Sequence, residues 1–277
     1  MSKLILGCGY LGRRVARAWL DQGQRVLAVS RRQDRCRELR ALGIEPVLWD
    51  VTQPGPDPLP QADTVLYAIG LDRSSGHTMR EVYVQGLASV LEWLPVPERF
   101  LYISSTSVYG QCDGSWVDES SPTEPQEESG CIALEAEAVL RARLPNAVIL
   151  RFAGIYGPGR MLRQQAIEAG QPIRGSGDRW LNLIHVDDGA RAILCAEQYA
   201  RPGAVYNVSD GHPVTRRDFF SHLAATLHAP PPHFLAPDSS PPPPHEKSQR
   251  RIANERIVRE CHFKPAYQSY RTGLATK

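Results

Sequence analysis

The alternation of short apolar segments with amphipathic segments restricts the fold of this chain more than any other feature of the sequence. Strands are predicted at residues 3–6, 25–30, 45–48, 64–69, 99–104 and 147–151. Helices are predicted between them, at about residues 10–22, 34–42, 77–94 and 129–144. Strands rich in Val, Ile and Leu on both faces are typical of a parallel sheet covered by helices on two sides. The sequence therefore predicts an α/β protein with a Rossmann-type doubly wound parallel sheet over residues 1–150.

A glycine hexapeptide lies between the first predicted strand and the first predicted helix. Its sequence is Gly7-Cys8-Gly9-Tyr10-Leu11-Gly12, which fits the pattern GxGxxG. In this context the first glycine permits the tight turn, the second lets a pyrophosphate approach the backbone, and the third brings helix and strand together. The free N–H groups of the helix N-terminus favour an anion. Residues 7 and 9–12 are thus predicted to bind a dinucleotide.

The end of the second strand indicates which dinucleotide is bound. An NAD site would place an Asp or Glu there to accept hydrogen bonds from the ribose hydroxyls. Here the strand ends in Ser30-Arg31-Arg32, and the first carboxylate is Asp34. A guanidinium suits a 2′-phosphate, and the Ser30 hydroxyl adds a donor. We therefore expect NADP(H), with NAD(H) as the alternative.

Composition narrows the class of protein further. A formal net charge of +2 gives no electrostatic reason to expect nucleic acid as a partner. No apolar run approaches the length of a membrane span, and the six cysteines show no CxxC spacing. We therefore expect no membrane association, no metal site, reduced thiols and a cytoplasmic protein.

The second half of the chain, residues 151–277, is less regular and is predicted to form mainly a smaller α/β substrate lobe, with some strands returning to the main sheet. Proline runs at residues 230–232 and 241–244 predict an extended connector, and a last helix is predicted at residues 251–261.

Several further motifs carry a family resemblance. They are YAIG at 67–70, YISSTSVYG at 102–110, RFAGIYGPGR at 151–160, LIHVDDGARAI at 183–193 and YNVSDG at 206–211. With the glycine hexapeptide, they make the chain similar to the extended short-chain dehydrogenase/reductases, the NAD-dependent epimerase/dehydratase family. The last residues look like those of a small bacterial branch of atypical members.

The resemblance implies a sheet of about seven strands and a further set of cofactor contacts. These would come from Asp50 and Val51 beside the adenine, from residues 68–70 (Ala68, Ile69 and Gly70), and from Ser104. It also implies a homodimer that pairs the helices predicted at 77–94 and 129–144.

The catalytic set that the resemblance implies is incomplete in this chain. Such proteins use a Ser or Thr on the fifth strand with a Tyr-x-x-x-Lys dyad on the next helix, where the lysine makes the phenol a useful acid–base. Ser105 matches the serine, and Thr106 is the alternative. Ser129 and Ala133 stand at the tyrosine and lysine positions, and no lysine occurs between residues 4 and 246. The dyad is therefore predicted to be absent.

Other residues are candidates for replacing the dyad or for contacting the substrate. Tyr109 or Tyr156 could replace the missing phenol, and a buried Glu127 or Glu128 could donate a proton. Arg151, Tyr156 and Arg179 are candidate substrate contacts. His185 is interpreted as a core residue, and Asp187 or Asp188 as a helix N-cap. Leu181 stands where related sugar-nucleotide enzymes carry an arginine, which disfavours a nucleotide sugar.

Two functional hypotheses remain. In the first, the chain is an NADP(H)-binding oxidoreductase or epimerase/dehydratase-like protein that acts on a small polar carbonyl or hydroxyl substrate. In the second, it binds NADP(H) without catalysis, as a redox sensor or an interaction protein.

Overall fold

The structure is a computed structural model that describes residues 1–53, 55, 58–235 and 248–275. In chain order the strands are β1 (Ser2–Leu6), β2 (Arg25–Ser30), β3 (Glu45–Leu48), β4 (Thr64–Tyr67), β5 (Arg99–Ser105), β6 (Trp116–Val117), β7 (Val148–Phe152), β8 (Gly154–Tyr156), β9 (Ile173–Arg174), β10 (Trp180–Leu181), β11 (Leu183–His185), β12 (Val205–Val208), β13 (Val214–Thr215), β14 (Phe234–Leu235) and β15 (Arg251–Ile252).

The helices follow the same order. They are α1 (Gly12–Asp21), α2 (Gln33–Ala41), α3 (Gly86–Trp93), α4 (Glu128–Arg143), α5 (Gln164–Glu168), α6 (Val186–Tyr199), α7 (Arg216–Thr226), α8 (Glu255–Cys261) and α9 (Tyr270–Leu274). A π-helical turn, Glu81–Gln85, leads into α3, and a 3₁₀ turn, Thr106–Val108, follows β5.

Seven strands form the central sheet, in the order β12-β7-β5-β4-β1-β2-β3, and every neighbouring pair is parallel. Alternate residues of each strand enter the cores on opposite faces. In β1, Ile5 packs on the side of α1 and α6, whereas Leu4 and Leu6 pack on the side of α3 and α4. The predicted doubly wound α/β sheet is confirmed, and the chain beyond residue 151 supplies its seventh strand, β12.

A second, smaller core lies beyond the carboxyl end of the sheet. Helices α5, α7 and α9 meet around buried Phe219, Phe220 and Tyr270. Short strand pairs frame this lobe: β8 with β11, β9 with β14, and β10 with β13. This arrangement places the lobe above the strand ends, where open α/β sheets bind ligands.

The predicted helix at 251–261 is wrong at its start. Arg251 and Ile252 form β15, which pairs in parallel with Trp116 and Val117 of β6, and helix α8 begins only at Glu255. Local periodicity does not reveal this pairing, because the partner lies over 130 residues away. Helix α9 lies beyond the last element that the sequence predicts. The prolines at 241–244 lie outside the described residues, and those at 230–232 precede β14.

The first turn of α6 also differs from expectation. His185, not an aspartate, is the N-cap, and its Nδ1 accepts a hydrogen bond from the Asp187 N–H at 3.3 Å. Fully buried Asp188 instead accepts 2.8 Å hydrogen bonds from the N–H groups of Ala266 and Tyr267. Asp188 is therefore structural, as interpreted, but it fastens the C-terminal segment rather than capping a helix. Within the described residues, no helix is long and apolar enough to cross a bilayer.

Candidate active site

The glycine loop between β1 and α1 is as tight as the hexapeptide predicts. Gly7 has φ 95°, and a Cβ there would overlap the carbonyl oxygen of Ala68. A Cβ on Gly12 would lie 2.6 Å from the Gly7 carbonyl oxygen. Gly9 has open space around its Cβ position, so its backbone faces the cleft unobstructed. Gly7 and Gly12 therefore have a steric reason, and the open space beside Gly9 leaves room for an anion near the N-terminus of α1.

A cleft of about 920 Å³ opens at the carboxyl ends of β1, β2, β4 and β5. The residues from the sequence prediction that line it are Gly7, Gly9, Tyr10, Leu11, Gly12, Ser30, Arg31, Arg32, Ala68, Ile69, Gly70, Ser104 and Ser105. Asp50 and Val51 are not part of its wall. The Asp50 carboxylate accepts hydrogen bonds from Thr52, and Val51 is buried in the core beneath.

Three arginines line the β2 end of the cleft, and each is paired with a carboxylate. Arg31 lies 2.5 Å from Asp72, Arg32 is paired with Asp34, and Arg35 lies 2.6 Å from Glu38. The hydrogen bond from Arg32 lowers the pKa of Asp34 to about 2. Arg35 was missed in the sequence, although its position in the first turn of α2, after the Arg31-Arg32 pair, was a usable signal.

Tyr10 closes the cleft at the glycine loop. Its hydroxyl donates a 3.0 Å hydrogen bond to the Pro158 carbonyl, and its ring lies near the guanidinium groups of Arg14 and Arg160, at 4.5 and 5.6 Å from the ring centre. Arg160 also lines the cleft. This cation comes from the second half of the chain and was not among the predicted cofactor contacts.

Serines line the cleft where β5 ends. The Ser105 Oγ accepts a 3.1 Å hydrogen bond from the Ser107 N–H, and Ser104 donates a 2.6 Å hydrogen bond to Glu137. Ser129 and Ala133 line the same cleft from α4. The two positions that the family resemblance assigns to the dyad therefore do face the site, with side chains that cannot supply a phenol or an ammonium group. Glu128, one of the substitute acids, is exposed to solvent.

Arg151 and Tyr109 belong to a buried polar network and not to the cleft wall. Arg151 is 4% exposed and donates to both oxygens of Glu137, at 3.0 and 2.7 Å. The Tyr109 hydroxyl donates to Asn207 at 2.8 Å and accepts from Arg151 at 3.1 Å. Burial raises the pKa of Tyr109. These placements correct the substrate role expected of Arg151 and the catalytic role expected of Tyr109.

Tyr156 requires the same correction. It is fully buried in the second lobe, its hydroxyl donates to the Ser269 carbonyl at 3.5 Å, and burial raises its pKa. It therefore neither lines the cleft nor offers an accessible proton. His185, next to it, is also fully buried, and burial lowers its pKa, in line with its interpretation as a core residue.

A second cavity, of about 330 Å³, adjoins the cleft and is called here the arginine cavity. Four arginines line it: Arg163, Arg179, Arg216 and Arg250. Thr106 lines it too, whereas its neighbours Ser105 and Ser107 line the cleft. The turn after β5 thus contributes to the walls of both spaces. Of the three predicted substrate contacts, Arg179 lines the arginine cavity, whereas Arg151 and Tyr156 line neither space.

Comparison with known proteins establishes the family. The NAD dependent epimerase/dehydratase family matches residues 4–209. The chain belongs to this family. Membership confirms the resemblance drawn from the motifs and places the chain among NAD(P)-dependent enzymes of oxidoreductase type.

Individual relatives extend this picture. Protein YeeZ of Escherichia coli is 31% identical over 241 residues, which is 83% of this chain and 85% of YeeZ. The structure of a functionally unknown conserved protein from Silicibacter pomeroyi is 31% identical, with a TM-score of 0.78 over 99% of this chain and 96% of that one. DesIV, a dTDP-glucose 4,6-dehydratase from Streptomyces venezuelae with NAD and TYD bound, has a TM-score of 0.81 at 20% identity over 99% and 95% of the two chains, and so shares the fold.

Proposed function

We propose that this protein is an NADP(H)-dependent oxidoreductase that acts on a small polar carbonyl or hydroxyl compound in the space between the cleft and the arginine cavity. The observation that carries the proposal is the form of the cleft. It has a glycine loop that leaves room for a pyrophosphate at one side, arginines at the end of β2, and serines at the end of β5.

The residues present fit a dinucleotide. The N-terminus of α1 would hold the pyrophosphate, because N–H groups at a helix N-terminus attract an anion, and the open space beside Gly9 lets it approach. Arg31, Arg32 and Arg35 would hold a 2′-phosphate, which favours NADP(H) over NAD(H). A nicotinamide cofactor supplies or takes a hydride when bound.

Ser105 is the residue that would orient the reacting oxygen. Its hydroxyl accepts from the Ser107 N–H, which leaves its proton free to be donated to a carbonyl oxygen. With Ser129 and Ala133 at the dyad positions, and no lysine in the cleft wall among the described residues, no group resembling a lysine-assisted phenol faces that oxygen. We therefore propose that proton transfer depends on Ser105 or on water, and that turnover is slow by the standards of the family.

A non-catalytic role, as a redox sensor or interaction protein, is the second candidate, and the side chains at 129 and 133 favour it. The two candidates differ in turnover. In a steady-state assay of NADPH oxidation against a broad carbonyl panel, any turnover that Ser105→Ala abolishes supports the enzyme. General acid–base catalysis contributes about 10²–10⁴-fold, so rates near the usual enzyme range would show that another group does the work of the dyad.

The cofactor itself is tested by binding. NADPH and NADH are titrated against the protein and against Arg31→Ala, with calorimetry as the readout. We expect tighter binding of NADPH, and a loss of about 1–3 kcal/mol for NADPH alone in the variant, the scale of a charge-assisted contact. Arg25→Ala is the matched control, because Arg25 lies at the other end of β2 and is paired with Glu45. Equal affinities for the two cofactors in the unmodified protein would contradict the assignment of NADP(H).

A further inference from the structure

The arginine cavity is lined by a concentration of positive charge. Among the described residues, its wall contains the four arginines and no Asp, Glu or Lys. Within the part of the chain that the structure describes, no carboxylate forms an ion pair with Arg163, Arg179 or Arg250, while Arg216 donates to the carbonyl oxygens of Arg174 and Ser176. The guanidinium groups of Arg163 and Arg179 therefore share a small space without an ion-paired carboxylate among the described residues.

Individual contacts show that this arrangement of arginines is energetically unfavourable. One terminal nitrogen of Arg179, Nη1, is buried without a hydrogen-bond partner among the described residues, and such a group normally finds one. Arg250 donates to the Thr106 carbonyl at 2.9 Å, and burial lowers its pKa. Arg163 has φ 53°, in the left-handed region that a residue with a Cβ rarely adopts. Unpaired charge and backbone strain that persist in one place point to a function for it.

The position of the cavity suggests what it holds. Thr106, in its wall, stands between Ser105 and Ser107 in the wall of the cleft. A molecule anchored on the arginines therefore extends towards Ser105, where the proposed reaction takes place. The volume of about 330 Å³ is at the lower limit for small-molecule sites. It suits a compound of a few carbon atoms with one anionic end better than a nucleotide sugar.

We propose that the arginine cavity binds the carboxylate or phosphate group of a small substrate whose carbonyl or hydroxyl end lies against Ser105. The guanidinium fork matches both anions, since each offers two oxygens to parallel N–H donors. Arg179 is the main contact, because its side chain lines the cavity and no carboxylate among the described residues pairs with it. This inference rests on the proposed function and names the chemical class of its substrate.

A matched series of three-carbon ketones tests it: hydroxyacetone, pyruvate and dihydroxyacetone phosphate, which end in a neutral hydroxyl, a carboxylate and a phosphate. Each is titrated into the full chain with NADP⁺ present, and tryptophan fluorescence is followed, since Trp180 lines the cavity. We expect one or both anions to bind and hydroxyacetone not to bind. The anion that binds more tightly identifies the end group, and added salt weakens its binding because the contact is ionic.

Two variants separate a binding role from a structural one. Arg179→Ala should weaken anion binding by roughly 10- to 100-fold, the scale of a charge-assisted hydrogen bond, and leave NADPH binding unchanged. Arg163→Gly should weaken anion binding while raising the melting temperature, because glycine adopts the left-handed conformation without strain. Arg217→Ala is the control, since Arg217 is exposed, lies outside the cavity wall and is paired with Asp178 at 3.2 Å.

The outcomes are distinguishable from those of the cofactor experiment. Binding of an anion that both cavity variants weaken supports the inference. If neither anion binds, or if both variants bind it as the unmodified protein does, the inference is wrong, while NADPH binding can still uphold the proposed function. Failure of NADPH to bind would instead remove the proposed function itself.

Discussion

The two groups of arginines, at the β2 end of the cleft and in the arginine cavity, differ in how their charge is balanced. At the cleft, Arg31, Arg32 and Arg35 each have a carboxylate partner within ion-pair distance. In the cavity, Arg179 has a buried nitrogen without a partner among the described residues. The first group meets solvent in neutralised pairs, whereas Arg163 and Arg179 of the second group have no ion-paired carboxylate among the described residues.

The difference implies two modes of anion recognition. A phosphate that enters the cleft has to compete with Asp72 for Arg31, so the gain in affinity is the difference between two ion pairs. An anion that enters the cavity has no described carboxylate to displace. On the proposed function, the cleft would therefore discriminate between NADP(H) and NAD(H), and the cavity would attract a small charged substrate.

The largest expected effect concerns the buried ion pair between Arg151 and Glu137, because an unpaired charge is most costly where it is buried. Glu137→Gln leaves the guanidinium charged and buried, and breaking a buried pair from one side costs about 3–5 kcal/mol. Urea unfolding measures the loss. The control is Glu135→Gln on the same helix, whose exposed pair with Arg80 is worth about 0–1 kcal/mol. If the two variants lose the same free energy of unfolding, burial does not determine how much an ion pair contributes to stability in this molecule.

An intermediate effect tests an unbalanced carboxylate in the second half of the chain. Asp210 is 3% exposed, its Oδ2 has no hydrogen-bond partner among the described residues, and burial raises its pKa to about 7. Its ordinary pKa is 3.8, so the folded state holds a proton that the unfolded state releases between these values. The stabilisation that this proton contributes is fully present below pH 3.8 and is lost as the pH rises through 7.

The measurement is the free energy of unfolding at pH 6 and pH 8. Between pH 6 and pH 8, the free energy of unfolding should fall by roughly 1 kcal/mol more in the unmodified protein than in Asp210→Asn. This difference is about the free energy that corresponds to one pKa unit. Asp178→Asn, at an exposed carboxylate, should behave like the unmodified protein. Parallel profiles for Asp210→Asn and the unmodified protein would argue that Asp210 is already ionised at pH 6.

The smallest expected effect tests the competition at the cleft. Asp72→Asn removes the carboxylate that neutralises Arg31, and exposed pairs are worth about 0–1 kcal/mol. NADPH should therefore bind up to about fivefold more tightly, with NADH unchanged. Because Asp72 also accepts hydrogen bonds from Ser74, circular dichroism should confirm that the fold is intact. Weaker NADPH binding by a folded variant would mean that Asp72 helps to hold the cofactor.

The sheet and the glycine loop could be predicted from the sequence because their determinants are local. Apolar alternation fixes each strand, and the spacing of Gly7, Gly9 and Gly12 describes one turn. The strand β15 could not be predicted in this way, because Arg251 and Ile252 become a strand only by pairing with Trp116 and Val117.

The prediction of the candidate site from the sequence was limited in a similar way. Tyr109 and Arg151 stand in motifs beside the cleft, and sequence alone does not tell a polar residue that faces a ligand from one that faces Glu137 or Asn207. The arginine cavity could not be predicted from the sequence for another reason. Arg163, Arg179 and Arg250 come from segments of the second lobe with no common local pattern, and only the tertiary fold brings them together.

The absence of lysine from the described parts of both walls has a practical consequence for labelling. Of the lysines that the structure describes, Lys3 is buried against Glu197 and Lys264 is exposed. Amine-directed reagents, such as fluorophore esters or acetyl donors, therefore have no target among the described side chains that line the cleft or the arginine cavity. A dye or a surface tether can be attached to exposed Lys264 by this chemistry while the described side chains of both walls keep their native form.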